Sequence, residues 1–197
     1  MPEPRRLILA STSRYRRELL ARLGMPFECV DPGVAEDARA NEAPAEMAGR
    51  LALAKAGAAA SRFSQALVIG ADQVAHCGEL RLDKPGNHER AMEQLTAVSG
   101  KIVSFETAVA LLDVRTGDAQ ARVVGTRVHF RRLTPAAIEA YLLRDRPYDC
   151  AGSAKAESLG IALIARIDSD DPTALIGLPL IALSEMLGAA GMPVLAA

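Results

Sequence analysis

The chain has no tryptophan, and its three Tyr and four Phe bring aromatics to only 4%. A stacking platform for single-stranded nucleic acid needs such rings and is not expected. A surplus of either charge is missing too: 23 basic residues against 24 acidic leave a net −1. That balance does not attract duplex DNA or an anionic membrane. No window approaches the roughly 18 uninterrupted apolar residues of a membrane-spanning helix. Arg5 and Arg6 precede an apolar run, as in a secretory leader, but the run is only Leu7–Ala10. That is too short for a leader's apolar segment. Three cysteines, Cys29, Cys77 and Cys150, are widely spaced and odd in number. They fit neither a zinc spacing nor a disulfide framework, which suits a reducing compartment. The expectation is a cytoplasmic protein with no nucleic acid and no membrane as partner.

What is present is small and apolar. Half of the 197 residues are hydrophobic and 37 are alanine. The length suits one domain, or two small lobes around one core. Nineteen of the basic residues are Arg, leaving only Lys55, Lys84, Lys101 and Lys155 as lysines. A coding bias towards Arg accounts for this on its own; against that bias, a remaining lysine is slightly more expected where a compact ammonium is wanted in place of a planar fork.

The pattern alternates between strand and helix. Leu7–Ala10 reads as a short strand, followed by a Ser-rich turn and a helix from Arg14 to Gly24. Phe27–Val30 is a second strand, and the acidic stretch 31–42 a surface loop. Pro44 opens an Ala-rich helix to about Phe63, with Met47, Leu51, Ala54, Ala58 and Ala59 on one stripe. Ala66–Ala75 is a strongly apolar strand, and Glu79–Asp83 a short one. Glu89–Val98 is a helix. Lys101–Val114 and Ala121–Arg131 are strands joined by a hairpin-like connection. Thr134-Pro135 starts a helix. Ile161–Ile167 reads as a strand, Asp168–Pro172 as an acidic turn, and Pro179–Ala190 as the last helix. The mixture predicts an α/β protein with a mixed sheet.

Several residues carry chemistry. Ser11, Ser13 and Arg16 lie between the first strand and its helix, where hydroxyls, N–H groups and Arg together make a phosphate site. A plain N-cap serine is the alternative. Asp72 interrupts an apolar strand, so it must be paired, protonated or bound to a metal. Gly70 leaves room beside it for a ligand or a close backbone. Glu36 is a candidate metal ligand in the acidic loop. Lys55 lies near the apolar stripe, with snorkelling as its alternative. Lys84 precedes Pro85 at a strand end. Glu157 either serves the site or pairs with Lys155. Acids for a divalent cation, cations for polyphosphate and no evident covalent nucleophile suit metal-assisted attack of water on a phosphoanhydride. A regulator that holds a nucleotide without cleaving it is the alternative.

Leu7-Ile8-Leu9-Ala10-Ser11-Thr12-Ser13, then Arg16 and Glu18-Leu19-Leu20, resembles the opening signature of the Maf family of nucleoside triphosphate pyrophosphatases. The likeness continues through Arg50-Leu51-Ala52, Lys55-Ala56, Ile69-Gly70-Ala71-Asp72-Gln73, Lys84-Pro85, Ser99-Gly100, Thr107, Cys150-Ala151-Gly152-Ser153 and Ile176-Gly177-Leu178-Pro179-Leu180. It covers nearly the whole chain, 1–197, as one Maf-like domain. The resemblance implies a two-lobed α/β fold with an elongated mixed sheet flanked by helices, similar to inosine triphosphate pyrophosphatases, and an active site in the cleft between lobes. It implies release of pyrophosphate and a nucleoside monophosphate with a divalent metal, Mg2+ or Mn2+, and a homodimer. Asp72 matches the general base; Ser11, Ser13, Arg16, Lys55 and Lys84 match phosphate-contacting positions; Glu36, with Asp72, matches the metal site. Arg14 stands where the family usually has Pro, and Ala35 where Asp usually precedes Glu36. Tyr15, Gln73 and Glu157 resemble the subgroup acting on 7-methylguanosine triphosphate. The subgroup acting on dTTP and UTP instead resembles Arg, Thr and Gln there. An aromatic ring and a carboxylate suit a cationic purine with guanine-edge donors.

Overall fold

A computed structural model of the chain describes residues 5–195. Its seven strands and five α-helices are β1 (Arg6–Ala10), α1 (Arg14–Ala21), β2 (Glu28–Val30), α2 (Pro44–Ala60), β3 (Ala66–Cys77), β4 (Leu80–Arg81), α3 (His88–Val98), β5 (Ile102–Asp113), β6 (Ala119–Phe130), α4 (Pro135–Asp145), β7 (Ile164–Ser169) and α5 (Leu180–Ala189). The strands form one sheet in the order β2-β1-β3-β5-β6-β7, with β4 paired to β3. β1 runs parallel to β2 and β3, while β4 against β3 and β7 against β6 are antiparallel. The sheet is therefore mixed, as the alternating pattern predicts.

Two compact units divide the chain. The first takes the chain up to Asp72, Thr107–Val124, and the chain from Asp171. The second takes Gln73–Glu106 and Gly125–Asp170. β3, β5 and β6 contribute residues to both. In the first unit, Leu7 to Ala10 and Ala66 to Ala71 are buried without alternation, as expected of parallel strands covered on both faces. Leu9, Leu19, Leu20, Leu67, Ile69, Leu111, Leu183 and Met186 share one core.

Sequence signals set several helix starts. Ser13 caps α1, its side chain accepting from the Arg16 N–H. Pro44 opens α2, and Glu46 reaches back to the Ala43 N–H at 3.2 Å. Thr134 caps α4 through the Ala137 N–H.

One region departs from the sequence reading. The expected strand Ile161–Ile167 begins instead at Ile164, after a 3-10 turn over Leu159–Leu163. A Cβ at Gly160 would lie 2.5 Å from the Lys155 carbonyl oxygen and 2.6 Å from its nitrogen. That backbone approach keeps the chain wound, and Ile161 stays 52% exposed. One acid of the expected turn falls in the strand, while Asp170 and Asp171 stay outside it. Asp168 lies in β7, where it accepts from His129 at 2.9 Å and Arg166 at 2.6 Å.

Candidate active site

A close approach of helix to strand builds the site. Alternate residues of a strand share a face, so Asp72 shares the face of Gly70. A Cβ at Gly70 would fall 2.7 Å from the Ala56 nitrogen and nearer still to the Ala52 carbonyl oxygen. The room beside Gly70 is therefore filled by the backbone of α2. Ala48, Ala52, Ala56 and Ala59 line the buried side of α2 and let it lie this close. Lys55 follows from that packing. Its Nζ donates to Asp72 Oδ1 at 2.6 Å and also to Glu36 Oε1. Lys55 and Asp72 keep 5% and 8% of their side-chain exposure, while Glu36 keeps 55%. Snorkelling is thus excluded: the Lys55 ammonium points inward and bridges two carboxylates.

Burial pushes the Asp72 carboxyl above its ordinary 3.8, against the pull of Lys55 and Arg16, and Glu36 adds to the rise. An acid with a raised pKa is a stronger base once ionised. Arg16 feels the charges of Asp72 and Glu36, while burial draws its own pKa down. Its Nε donates to the Gly177 carbonyl at 2.9 Å. Arg16, Glu36, Lys55 and Asp72 therefore come together within the first unit.

The serines serve the backbone first. Ser11 Oγ accepts from the Ser13 N–H at 3.1 Å, and Ser13 Oγ from the Arg16 N–H at 3.4 Å. The N-cap alternative holds for Ser13, and both hydroxyls retain a proton to donate. Tyr15 does more than pack on α1. The Arg14 guanidinium lies 4.6 Å from its ring centroid, and Arg14 Nη2 donates to the Tyr15 hydroxyl at 2.7 Å. The Arg14 cation therefore covers one face of the ring, and a base would stack on the other.

The acidic loop is tethered. Arg50 on α2 donates to both Glu42 carboxylate oxygens, at 2.5 and 2.7 Å, and to the Asp37 carbonyl at 3.1 Å. Its guanidinium pulls the Glu42 carboxyl down to about 2. This bidentate clamp lies close in sequence to Glu36. Arg50 belongs to a block that carries the family resemblance, but its sequence context gave no hint that it holds the loop.

Gln73, Lys84 and Glu157 fall in the second unit. Gln73 is half-buried, and Lys84 and Glu157 are exposed. After Lys84, the Gly86 N–H is tied to the Tyr148 carbonyl at 2.9 Å. The expected alternative for Glu157 fails. Lys155 Nζ turns to the Asp145 and Arg146 carbonyls at the end of α4, at 3.1 and 3.4 Å, and to Asp149 at 3.7 Å.

No group of three or more His, Cys, Asp or Glu side chains able to cage a metal occurs among the described residues. The Glu36 and Asp72 carboxylates converge on the Lys55 ammonium, and a hard divalent cation of the Mg2+ type, which takes its other oxygens from water and substrate phosphates, would have to use their remaining oxygens. Glu36 and Asp72 would hold it. No helix among the described residues is long and apolar enough to cross a membrane.

A mixed α/β sheet carries a buried Asp72–Lys55 pair with the exposed Glu36 and with Arg16 beside it. The family model described as Maf-like protein matches residues 6–190, and the chain belongs to the Maf family. It is similar to proteins named 7-methyl-GTP pyrophosphatase. The Albidiferax ferrireducens protein is 57% identical over 199 residues, covering 100% of both chains. That of Thiobacillus denitrificans is 58% identical over 189 residues, covering 96% of this chain and 94% of the relative. That of Burkholderia thailandensis is 58% identical over 191 residues, covering 95% and 89%. A solved structure of a HAM1 protein from Coxiella burnetii is 15% identical with a TM-score of 0.45, covering 66% of this chain and 74% of its own.

Proposed function

We propose that this protein is a nucleoside triphosphate pyrophosphatase that hydrolyses 7-methyl-GTP to 7-methyl-GMP and pyrophosphate. The observation that carries the reading is the buried Asp72 carboxylate held by Lys55 beside Glu36 and Arg16. Relatives at 57–58% identity bear the matching name.

In the reaction, a water oxygen attacks the α-phosphorus and the bond to the bridging oxygen breaks. Pyrophosphate leaves. Asp72 takes the proton from the attacking water, and its raised pKa suits that role. Arg16, Lys55 and Lys84 hold the triphosphate, with Ser11 and Ser13 donating hydroxyl protons. A divalent cation, Mg2+ or Mn2+, held by Glu36 and Asp72 would neutralise phosphate charge.

Tyr15, Gln73 and Glu157 select the base. Methylation at N7 makes guanine cationic, so stacking on Tyr15 gains a cation–π contribution of ~0.5–2 kcal/mol. The Glu157 carboxylate accepts from the guanine N1–H and N2–H groups, and its exposure leaves it available to do so. The same reading includes a homodimer and a cytoplasmic location without a nucleic-acid partner.

The test is a panel of 7-methyl-GTP, GTP, dTTP and UTP with pyrophosphate as the readout. The expected result is the highest kcat/KM on 7-methyl-GTP. A preference for dTTP or UTP overturns the choice of base, and release of orthophosphate overturns the reaction. Triphosphate binding without cleavage would establish the regulator.

A further inference from the structure

We propose that Asp171 and Thr173 are positioning residues that set the Arg16 guanidinium through the Gly177 carbonyl. The inference rests on the reading of Arg16 as a triphosphate ligand.

The last helix cannot cap itself. α5 begins after Pro179, whose side chain has no acceptor for the first-turn N–H groups. Two residues from upstream supply them. Asp171 Oδ2 accepts from the Ile181 N–H at 2.8 Å, and Thr173 Oγ1 from the Leu180 N–H at 2.8 Å. The same carboxylate also holds the start of the segment. Asp171 Oδ1 accepts from the Thr173 N–H at 3.0 Å and from its hydroxyl at 2.6 Å. The Leu178 carbonyl lies 2.9 Å from that hydroxyl. Asp171 is 2% exposed, so one buried carboxyl group holds the 173–181 segment at both ends.

The closed segment turns the Gly177 carbonyl to Arg16. Gly177 sits at φ +121°, a conformation that side-chain-bearing residues rarely adopt, and its N–H is fixed on the Ala174 carbonyl at 2.9 Å. Its own carbonyl accepts from Arg16 Nε at 2.9 Å. A guanidinium is planar, so anchoring Nε fixes the plane in which the two terminal nitrogens fork towards a phosphate. Capping α5 alone would not require the Gly177 carbonyl to face Arg16. All of these residues lie in the first unit.

The experiment is a double-mutant cycle read as kcat/KM for pyrophosphate release, with melting temperatures taken in parallel. Thr173→Val removes the hydroxyl, Thr173→Ser restores it, and each is made alone and with Arg16→Ala. Thr173→Val is expected to lower kcat/KM roughly tenfold, chiefly through KM, and Thr173→Ser to stay near wild type. With Arg16→Ala, Thr173→Val is expected to cost nothing further, because the group it positions is gone. The proposal is overturned if Thr173→Val loses as much with Arg16→Ala as without it. It is equally overturned if Thr173→Val lowers the melting temperature at unchanged kcat/KM, because the segment is then only a helix cap. Should Thr173→Val not fold, Asp171→Asn enters the same cycle with the same two outcomes. An Arg16→Ala variant with unchanged kcat/KM defeats the triphosphate reading of Arg16 as well. An impaired Arg16→Ala with additive losses defeats this inference alone.

Discussion

Lys55 Nζ lies 2.6 Å from Asp72 Oδ1, and both side chains are nearly excluded from solvent. The pair joins the middle of a helix to the middle of a strand. It keeps a carboxylate in an apolar strand oriented and ready to ionise.

Asp72→Asn is expected to keep the fold and lose turnover. The amide is nearly isosteric but cannot take a proton, and loss of a general base costs ~10²–10⁴-fold. Pyrophosphate release at saturating divalent cation measures it. More than about a tenth of wild-type turnover refutes Asp72 as the base.

The acidic limb of the kcat/KM profile is expected above the ordinary aspartate value of 3.8, because burial raises the Asp72 carboxyl. Lys55 opposes that rise, so Lys55→Met should move the limb to still higher pH. A limb that stays in place in the variant would separate Lys55 from the titrating group.

Lys55 and Lys84 are expected to part company in stability. Truncating one partner of a buried pair typically costs ~3–5 kcal/mol, and Lys55 is such a partner. Lys84 is exposed, so Lys84→Ala should leave the melting temperature almost unchanged while kcat/KM on triphosphate falls. Thermal melts and steady-state kinetics on both variants decide the matter. The outcome against it is an Lys84→Ala enzyme with wild-type kinetics.

The loop that carries Glu36 should be sensitive to acid. Glu42 titrates at about 2 in the folded protein against an ordinary 4.5, because Arg50 holds its ionised form. A depressed carboxyl contributes stability above roughly 4.5 and loses it as the pH falls towards 2. Arg50→Ala should remove that dependence and weaken divalent-cation use through Glu36. Melting temperature against pH for the two proteins, with and without Mg2+, shows both effects.

Glu157→Gln should reduce the preference for 7-methyl-GTP over GTP, since charge complementarity is lost while shape stays. A change of ~1.4 kcal/mol would appear as a tenfold change in the kcat/KM ratio. An unchanged ratio would leave Glu157 an ordinary surface acid.

Much of this was legible from residue order alone. The apolar runs at Leu7–Ala10 and from Ala66 onward, the Ser13 cap and Pro44 fixed the elements that carry the cluster. Asp72 stood out because nothing else charged interrupts its strand. Contacts between distant segments were not legible. Whether Gly70 faced a ligand or a backbone depended on where α2 would lie. The late start of β7 depends on the backbone contact of Gly160 with Lys155. Asp171 looked like one acid among several in a turn, because its partners reach as far as Ile181.

The alanine content gains a meaning from Gly70. A helix faced with larger side chains would ride higher on β3, and a lysine from it would reach the carboxylate only by straightening. Here the bare surfaces act as a gauge block, with helix backbone resting on strand backbone and no adjustable spacer between. Such a gauge has no slack. Enlarging Gly70, Ala52 or Ala56 by even one methyl group would lift the helix and mis-set the reach of Lys55 without touching a charged residue. Positions that bear no functional group at all would then rank among the least replaceable in the chain.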